Sequence, residues 1–278
     1  MKHPIKALFP LSILLFIIGC HSSNLPTKRY SQFTYEKSYA IENGQLRVTI
    51  NNTLYAPLRI WLRTRDEAAQ AVLNELNPVL VQGRQDTTFY LSDIDSLSSE
   101  LFFPSLLGDL NKEIKNIPVA LPFPKGKTYR IIQGNDTDHT HSTEWSRYAV
   151  DFAHKINDTI SAATDGYVVG LVDQYRYGGP GDKWRPFGNF LTIYDPESGL
   201  YTQYVHLVHK GSFVKVGDRV IKGQPIALSG YTGQTDIEHL HFNVMVPVHS
   251  NDGLKSVPHV YEEGYKSKEL KRNDYVKH

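Results

Sequence analysis

The chain has 278 residues, a formal net charge of +1 and a sequence pI near 7.8. This length suits one large domain or two ordinary ones, and the near-neutral charge gives no whole-protein electrostatic reason to propose nucleic acid as a partner. Seventeen tyrosines, fifteen prolines and twenty glycines favour short strands joined by many turns. The composition therefore predicts an all-β fold.

The first nineteen residues have the features of an export signal. Two lysines and a histidine open the chain, and the apolar run at residues 8–18 is too short for a membrane-spanning helix. The run ends in Ile-Ile-Gly-Cys, which resembles the bacterial lipobox, in which the cysteine is lipidated and becomes the mature N-terminus. The resemblance implies a lipid on Cys20 and a membrane as partner. The alternative is a plain signal peptide or a short anchor with an incidental cysteine.

Cys20 is the only cysteine, so the chain has no intramolecular disulfide, and lipidation would exclude cysteine catalysis. His21 follows it, and in lipoproteins a residue other than Asp at this position favours the outer membrane where the organism has two membranes. We therefore expect an exported lipoprotein, anchored in the outer membrane and facing the periplasm in such an organism. Residues 20–29 are polar and are predicted to form a tether.

Residues 30–118 are predicted to form a small β-sandwich-like domain. Residues 46–50 and 58–63 alternate with period two, which places apolar side chains inside and Arg59 and Arg63 outside. Residues 87–91 are a third candidate strand, and residues 66–76 a candidate short helix. No catalytic constellation occurs here, so this domain is either a spacer or docking module or a domain that simply packs on its neighbour.

Three prolines and a glycine between residues 118 and 126 mark a boundary, and ten of the twelve histidines follow it. They include pairs near residues 139–141 and 239–241, separated by an aspartate in a strand-like run at residues 148–152. Residues i and i+2 of a strand share a face, so His239 and His241 would point to one site. Two histidines and one aspartate meet the requirements of a catalytic zinc site with an open position for water.

The segment from about residue 121 to residue 247 resembles the lysostaphin-type zinc metallopeptidases, the LytM family of peptidoglycan hydrolases. The matching motifs occur in family order: Tyr-Ala-Val-Asp-Phe at 148–152, Ala-Ala-Thr-Asp-Gly at 162–166, Gly-Asn-Phe at 188–190, Tyr-Val-His-Leu at 204–207, Val-Gly-Asp at 216–218, Ser-Gly-Tyr-Thr-Gly at 229–233 and His-Leu-His-Phe at 239–242. The resemblance implies an antiparallel β-sheet metallopeptidase domain at residues 119–250, followed by a C-terminal extension at residues 251–278.

The same resemblance implies that Asp151 and His241 bind one zinc ion. It also implies that His206 and His239 assist the reaction. In most of the family the first ligand is a histidine four residues before the aspartate, where this chain has Arg147. A lipoprotein-associated branch carries that histidine further upstream, and His141 fits this arrangement; His139 is the competing candidate.

The resulting hypothesis is a lipid-anchored zinc endopeptidase that cleaves peptide bonds of bacterial peptidoglycan with a metal-activated water. The alternative, favoured by Arg147, is a catalytically inactive metallopeptidase-like module that binds or regulates cell-envelope protein partners.

Three further expectations concern the surface. The loop at residues 173–186 is expected either to wall the substrate groove, as in the family, or to be an ordinary hairpin loop with its own aromatic cluster. Residues from 254 onwards are expected to be a solvated extension. The four histidines without motif context, at positions 154, 209, 249 and 259, are expected at the surface.

Overall fold

The computed structural model describes residues 25–137 and 140–278. The elements of the first part are β1 Glu36–Glu42, β2 Gln45–Asn51, β3 Leu58–Ile60, α1 Glu67–Asn74, β4 Val79–Val81, β5 Asp86–Leu91 and β6 Ser105–Leu107. The strands form two three-stranded antiparallel sheets, ordered β1-β2-β5 and β4-β3-β6. The predicted strands at 46–50 and 87–91 and the helix within 66–76 are present, whereas the predicted strand at 58–63 is shorter and ends at Ile60.

The second part is built from fourteen described strands and two 3₁₀ helices. They are β7 Thr128–Gln133, β8 Val150–Phe152, β9 Thr159–Ser161, β10 Gly166–Val172, β11 Gly178–Gly179, the 3₁₀ helix Asp182–Phe187, β12 Phe190–Tyr194, β13 Tyr201–Val205, β14 Leu207–Ser212, β15 Arg219–Val220, β16 Pro225–Ser229, β17 Gly233–Gln234, β18 Leu240–Pro247, β19 Leu254–Ser256, the 3₁₀ helix Ser267–Glu269 and β20 Tyr275–Lys277. The prediction of an all-β fold is confirmed.

One large sheet organises this second part. Its strand order is β15-β10-β12-β13-β18-β8-β7-β20, with β19 paired to β18. The small antiparallel sheet β14-β16-β9 belongs to the same half of the chain. Apolar side chains from both sheets, including Val168, Leu191, Phe242, Ile160 and Ile226, are fully buried in one core. Burial of this apolar surface is the main stabilising contribution to the half that carries the candidate site.

A second core joins the N-terminal part to the large sheet. Leu46, Val48 and Ile50 alternate inward from β2, as period two predicts. The same cluster contains Tyr201 and Met245 from β13 and β18. The two parts therefore share buried apolar contacts, while the division into domains at residue 118 stays a prediction.

Arg59 contradicts the predicted alternation. Its side chain is almost fully buried, whereas Arg63 is exposed as expected. The Arg59 guanidinium donates to the backbone carbonyls of Leu107, Val248 and Gly253 at 2.7–3.0 Å. The prediction that Arg59 faces solvent was wrong because three long-range carbonyls accept from its two Nη groups, and local periodicity does not report such contacts.

The C-terminal segment is also packed rather than solvated. β20 pairs with β7 at the edge of the large sheet, and Leu254, Tyr261 and Val276 are buried. In this segment, charged residues alternate with these buried apolar residues. Such a pattern is typical of a segment packed on the surface of a domain and not of a free tail. The expectation of a solvated extension was wrong.

Within residues 25–137 and 140–278, no helix has the length and apolar character needed to cross a membrane. The signal peptide, Cys20, the first residues of the tether and His139 lie outside the described residues.

Candidate metal centre

Asp151 and His241 are neighbours because their strands pair. β8 and β18 are antiparallel, and the register places Asp151 directly opposite His241. Opposite residues of an antiparallel pair have side chains about 5 Å apart on one face of the sheet. The His241 Nδ1 atom lies 2.9 Å from the Asp151 Oδ1 atom. Strand pairing alone therefore brings together two residues that are ninety positions apart in the chain.

His141 reaches the same place through the loop between β7 and β8. Two hydrogen bonds close this loop: Asp136 N–H donates to the Arg147 carbonyl at 2.7 Å, and the Asn135 amide donates to the Ala149 carbonyl at 2.7 Å. His141 belongs to this loop, and its side chain is fully buried. The candidate first ligand is thus held by the backbone of a long loop and not by the strand that carries Asp151.

The contact of the His141 Nδ1 atom determines which ring nitrogen carries the proton. The Nδ1 atom lies 2.7 Å from the Gly134 carbonyl, which only accepts, so Nδ1 carries the proton. The Nε2 atom then presents its lone pair 3.3 Å from Asp151 Oδ1 and 3.2 Å from His241 Nδ1. A backbone carbonyl on the outer nitrogen is the usual support for a metal-binding imidazole.

These three atoms form a triangle that suits a zinc ion. One ligand atom from each of His141, Asp151 and His241 lies within 4.8 Å of the others, and the measured edges are 2.9, 3.2 and 3.3 Å. Ligand atoms about 2.0–2.1 Å from a tetrahedral zinc ion are separated by about 3.3 Å. Two imidazoles and one carboxylate are also a donor set that zinc prefers in catalytic sites. The residues present therefore fit the metal.

The charges of the cluster are coupled. Burial alone would raise the pKa of Asp151, but the neighbouring imidazoles of His141 and His239 hold it well below its usual range. Burial would lower the pKa of His141, and the Asp151 carboxylate raises it above the ordinary value. Burial is the main reason that the pKa of His241 is lowered. The carboxylate is consequently ionised and the imidazole of His241 neutral near pH 7, as metal binding requires, whereas the raised pKa of His141 means that a proton competes with the metal for its Nε2 atom.

His206 and His239 stand next to this triangle. Their rings are 4.5 Å apart between centroids, and the His206 ring is 6.2 Å from that of His241. The His239 Nε2 atom is 3.7 Å from Asp151 Oδ2. The four histidines and the aspartate named by the sequence thus meet in one place, while their individual roles stay predictions.

Each of these two histidines has its Nδ1 atom held by a carbonyl. The His206 Nδ1 donates to Thr232 O at 2.7 Å, and the His239 Nδ1 donates to Ile237 O at 2.9 Å. Burial and the neighbouring imidazoles of His239 and His241 lower the pKa of His206 well below its ordinary value, so this ring is neutral near pH 7. Its Nε2 atom then carries a lone pair and acts as a proton acceptor.

The backbone at His206 is unusual. It directly follows β13 and has a φ of +68°, in the left-handed region that few non-glycine residues adopt. Such strain persists only where the surrounding structure fixes it, and here the Thr232 carbonyl and the neighbouring His239 ring do so. His206 is one of eight non-glycine residues with a positive φ among the described residues, and it is the one whose side chain lies beside the metal centre.

A groove of about 1260 Å³ opens over the cluster. Asp151, His206, His239 and His241 line it, together with Gly181, Asp182 and Arg185 from the loop at residues 173–186. Tyr175 and Trp184 of the same loop pack with Val172 and Phe187 in a small buried core, whereas Tyr177 is exposed. Both predicted features of the loop are therefore present: it walls the groove and has its own aromatic cluster.

Two histidines were misplaced by the sequence. His154 and His259 are buried, whereas His249 is exposed and His209 partly exposed. His154 stacks on Tyr129 with ring centroids 4.0 Å apart, and the His259 Nε2 atom accepts from the Tyr261 hydroxyl at 3.0 Å. The partner of His154 lies 25 residues away, and that of His259 only two, but neither contact is indicated by a motif in the sequence.

The groups that orient the site histidines were not anticipated. They are the backbone carbonyls of Gly134, Thr232 and Ile237. Main-chain atoms leave no residue-type signal, although Thr232 lies in the motif at 229–233. The glycine at position 134 is one indirect indication of this role, because a Cβ atom there would lie 2.2 Å from the Leu270 carbonyl oxygen.

Residues 146–253 match peptidase family M23. The chain is 35% identical over 124 residues to the glycyl-glycine endopeptidase ALE-1 of Staphylococcus capitis, which covers 44% of this chain and 31% of that protein. It is 33% identical over 138 residues to the peptidoglycan DD-endopeptidase ShyB of Vibrio cholerae, covering 48% of this chain and 29% of that protein. The matches thus span about a third of the length of these relatives.

Among solved structures, lysostaphin from Staphylococcus simulans is similar to this chain with 29% identity, a TM-score of 0.35 and coverage of 46% of this chain and 47% of that one. The matched segment contains Asp151, His206, His239 and His241, in the order and sheet positions described above. The second half of the chain thus contains the residues that match peptidase family M23, and ALE-1 and lysostaphin are among the proteins to which it is similar.

Proposed function

We propose that this protein is a zinc-dependent endopeptidase that hydrolyses peptide bonds of bacterial peptidoglycan. The observation that carries the proposal is the buried triangle of His141, Asp151 and His241 at the groove of an M23 domain. The substrate class is taken from the relatives, which are named as glycyl-glycine and peptidoglycan DD-endopeptidases.

His141 supports activity over the inactive alternative. Arg147, at the position where most of the family has a ligand, points outward, and its Nε atom lies 3.5 Å from Asp136 Oδ1. His141 lies outside the segment matched to the family but occupies the third corner of the triangle. A complete set of two imidazoles and a carboxylate is what a catalytic zinc site needs.

One zinc ion held by these three side chains would supply Lewis acidity, which polarises a peptide carbonyl and lowers the pKa of water from 15.7 to about 7. The chain supplies the proton transfers and the orientation. His206 and His239 have their Nδ1 atoms fixed by carbonyls, so their Nε2 atoms are the ones available to groups in the groove. A neutral imidazole at this position accepts a proton from the attacking water, and its protonated form donates to the leaving amine. The ionised Asp151 balances the positive charge of the site.

The experiment is digestion of purified peptidoglycan with the full-length protein, followed by detection of new peptide termini. We expect hydrolysis that a chelator stops and added zinc restores. His241→Ala and His141→Ala should abolish both zinc binding and hydrolysis, while His139→Ala should retain both. His249→Ala, an exposed histidine outside the groove, is the matched control.

The two readouts separate the alternatives. Zinc binding without hydrolysis by the wild type would favour a binding or regulatory module with envelope protein partners. A preparation that neither contains zinc nor takes it up would contradict the metallopeptidase proposal altogether. Loss of zinc on His139→Ala but not on His141→Ala would reverse the choice of first ligand.

We also propose that a lipid on Cys20 anchors the protein, in the outer membrane of an organism with two membranes. The support is the sequence of residues 1–21. Mass spectrometry of the N-terminal peptide tests this proposal, with acylated Cys20 as the expected result and Cys20→Ser as the matched variant. A wild-type peptide that is cleaved without acylation, or is not cleaved, would contradict it.

A further inference from the structure

Three cationic side chains line one part of the groove without a carboxylate partner. Arg130 comes from β7, and Lys271 and Arg272 come from the C-terminal segment. Among residues 25–137 and 140–278, no carboxylate lies within salt-bridge distance of these three side chains, as is also the case for most other lysine and arginine side chains there. What distinguishes the three is that they line the groove together. We call Arg130, Lys271 and Arg272 the basic rim.

The backbone under the basic rim is well fixed. β20 pairs with β7 so that Tyr275 lies opposite Arg130, and the Arg130 guanidinium donates to Asn273 Oδ1 at 3.0 Å. The Lys271 N–H donates to Asp274 Oδ2 at 2.7 Å, which closes the turn before β20. A cation on a fixed turn loses less entropy on binding an anion than one on a mobile tail.

The basic rim lies next to the metal centre. The Leu270 carbonyl packs against the Cα atom of Gly134, and the Gly134 carbonyl accepts from His141. Leu270, which directly precedes Lys271 and Arg272, is therefore connected to His141 through Gly134. Lys271 and Arg272 therefore line the same groove as the candidate metal centre.

The remaining lining charges come from other segments and are of mixed sign. Asp182 and Arg185 belong to the loop at residues 173–186, and Asp182 accepts from the Gln234 amide at 3.0 Å. Asp236 and Asp252 also line the groove. The groove is thus not uniformly basic, and the excess of positive charge is confined to the basic rim.

We propose that the basic rim is a subsite for a carboxylate of the peptide substrate. Arginine presents paired N–H donors that match the two oxygens of a carboxylate, and lysine adds a point charge. The position inside the groove that opens over the candidate metal centre favours a bound peptide over a membrane surface. The inference rests on the proposed peptidase function and adds to it a preference for acidic over amidated peptide stems.

The test compares two synthetic stem peptides that differ in one group, a free carboxylate or its carboxamide. We expect the wild type to prefer the acid by roughly tenfold in kcat/KM, mostly through KM, because a charge-assisted hydrogen bond discriminates on this scale. The double variant Lys271→Gln with Arg272→Gln, and separately Arg130→Gln, should lose the preference. Arg272→Glu should reverse it. Lys277→Gln, on β20 but outside the groove lining, should behave as wild type.

Equilibrium binding of both peptides in the presence of a chelator keeps the test independent of catalysis. If neither peptide is hydrolysed but the acid still binds more tightly through the basic rim, the peptidase proposal fails and the subsite stands. If both are hydrolysed equally, the subsite is wrong and the peptidase stands. Vesicles containing phosphatidylglycerol provide the third arm. Vesicle binding that needs the basic rim, with no preference between peptides, would overturn the subsite in favour of a membrane contact.

Discussion

The stability of this protein should depend on pH through His154. The imidazole is almost fully buried between Tyr129 and Phe123, and neither of its ring nitrogens has a hydrogen-bond partner within the described residues. Burial lowers the pKa of His154 to about 3; the Asp158 carboxylate opposes this effect and the His239 imidazole adds to it. In the unfolded chain the pKa of a histidine is about 6.5.

The sign of the effect follows from these two pKa values. Between about pH 6.5 and pH 3 the unfolded chain binds a proton at this position and the folded protein does not, so acid favours unfolding. The free energy of unfolding is unaffected by His154 above pH 6.5 and falls as the pH falls through this window. From pH 7 to pH 5 the loss from this one group is about 2 kcal/mol.

Two substitutions at this position remove the titration in different ways. His154→Phe replaces the imidazole with an apolar ring, and His154→Gln with a neutral polar group. Chemical denaturation at pH 7 and pH 5, with chelator in all samples, should show that both variants lose about 2 kcal/mol less stability on acidification than the wild type. Their absolute stabilities at pH 7 should differ, because only Gln leaves buried polar atoms without partners. A wild-type loss that persists unchanged in both variants would refute the reasoning.

Three further predictions concern contacts that connect the parts of the fold. Gly134→Ala would push a Cβ atom against the Leu270 carbonyl and displace the loop that carries His141. This variant should bind zinc roughly tenfold more weakly in a metal titration. Gly188→Ala, in which the Cβ atom would meet its first neighbour at 3.7 Å, should bind zinc like the wild type. Tyr175→Phe removes the hydroxyl that accepts from Tyr30 N–H and donates to Lys28 O, and should lower stability by about 1 kcal/mol with faster hydrogen exchange at the Tyr30 amide; unchanged exchange would contradict it. Arg59→Met leaves three buried carbonyls without their donor and should destabilise by about 2–4 kcal/mol in thermal unfolding, against less than about 0.5 for the exposed Arg63→Met.

The sequence correctly predicts the buried face of an element where that face consists of apolar side chains. The alternation of Leu46, Val48 and Ile50 fixed both the strand and its buried face, because side chains on a strand repeat every two residues. The pair His239 and His241 was placed on one side of a strand by the same rule. Local patterns failed for Arg59 and His154, since each is buried by partners more than twenty residues away.

The candidate site shows where motif spacing stops being informative. Asp151 and His241 were named as ligands by the family resemblance, and in the structure both lie in regular strands whose register places them opposite each other. His141 lies in a loop, so the number of residues between it and Asp151 does not determine where its side chain lies. The two hydrogen bonds that close the loop involve main-chain atoms of Arg147 and Ala149, and any residue provides these.

Arg147 consequently has a different meaning in the structure from the one it has in the sequence. By residue type it is a missing ligand, since a guanidinium does not bind a metal. In the fold its carbonyl accepts from Asp136 N–H and its side chain lies beside the Asp136 carboxylate, so it closes the loop that carries His141 inward. Under the proposed function, the ligand is therefore relocated along the chain to His141 and not lost. Arg147→Ala keeps the main-chain hydrogen bond and should leave zinc binding intact, because an exposed ion pair contributes at most about 1 kcal/mol. Arg147→His would place a second imidazole at the family's usual position; if it restored zinc binding to His141→Ala, the two positions would be interchangeable ligands of one site.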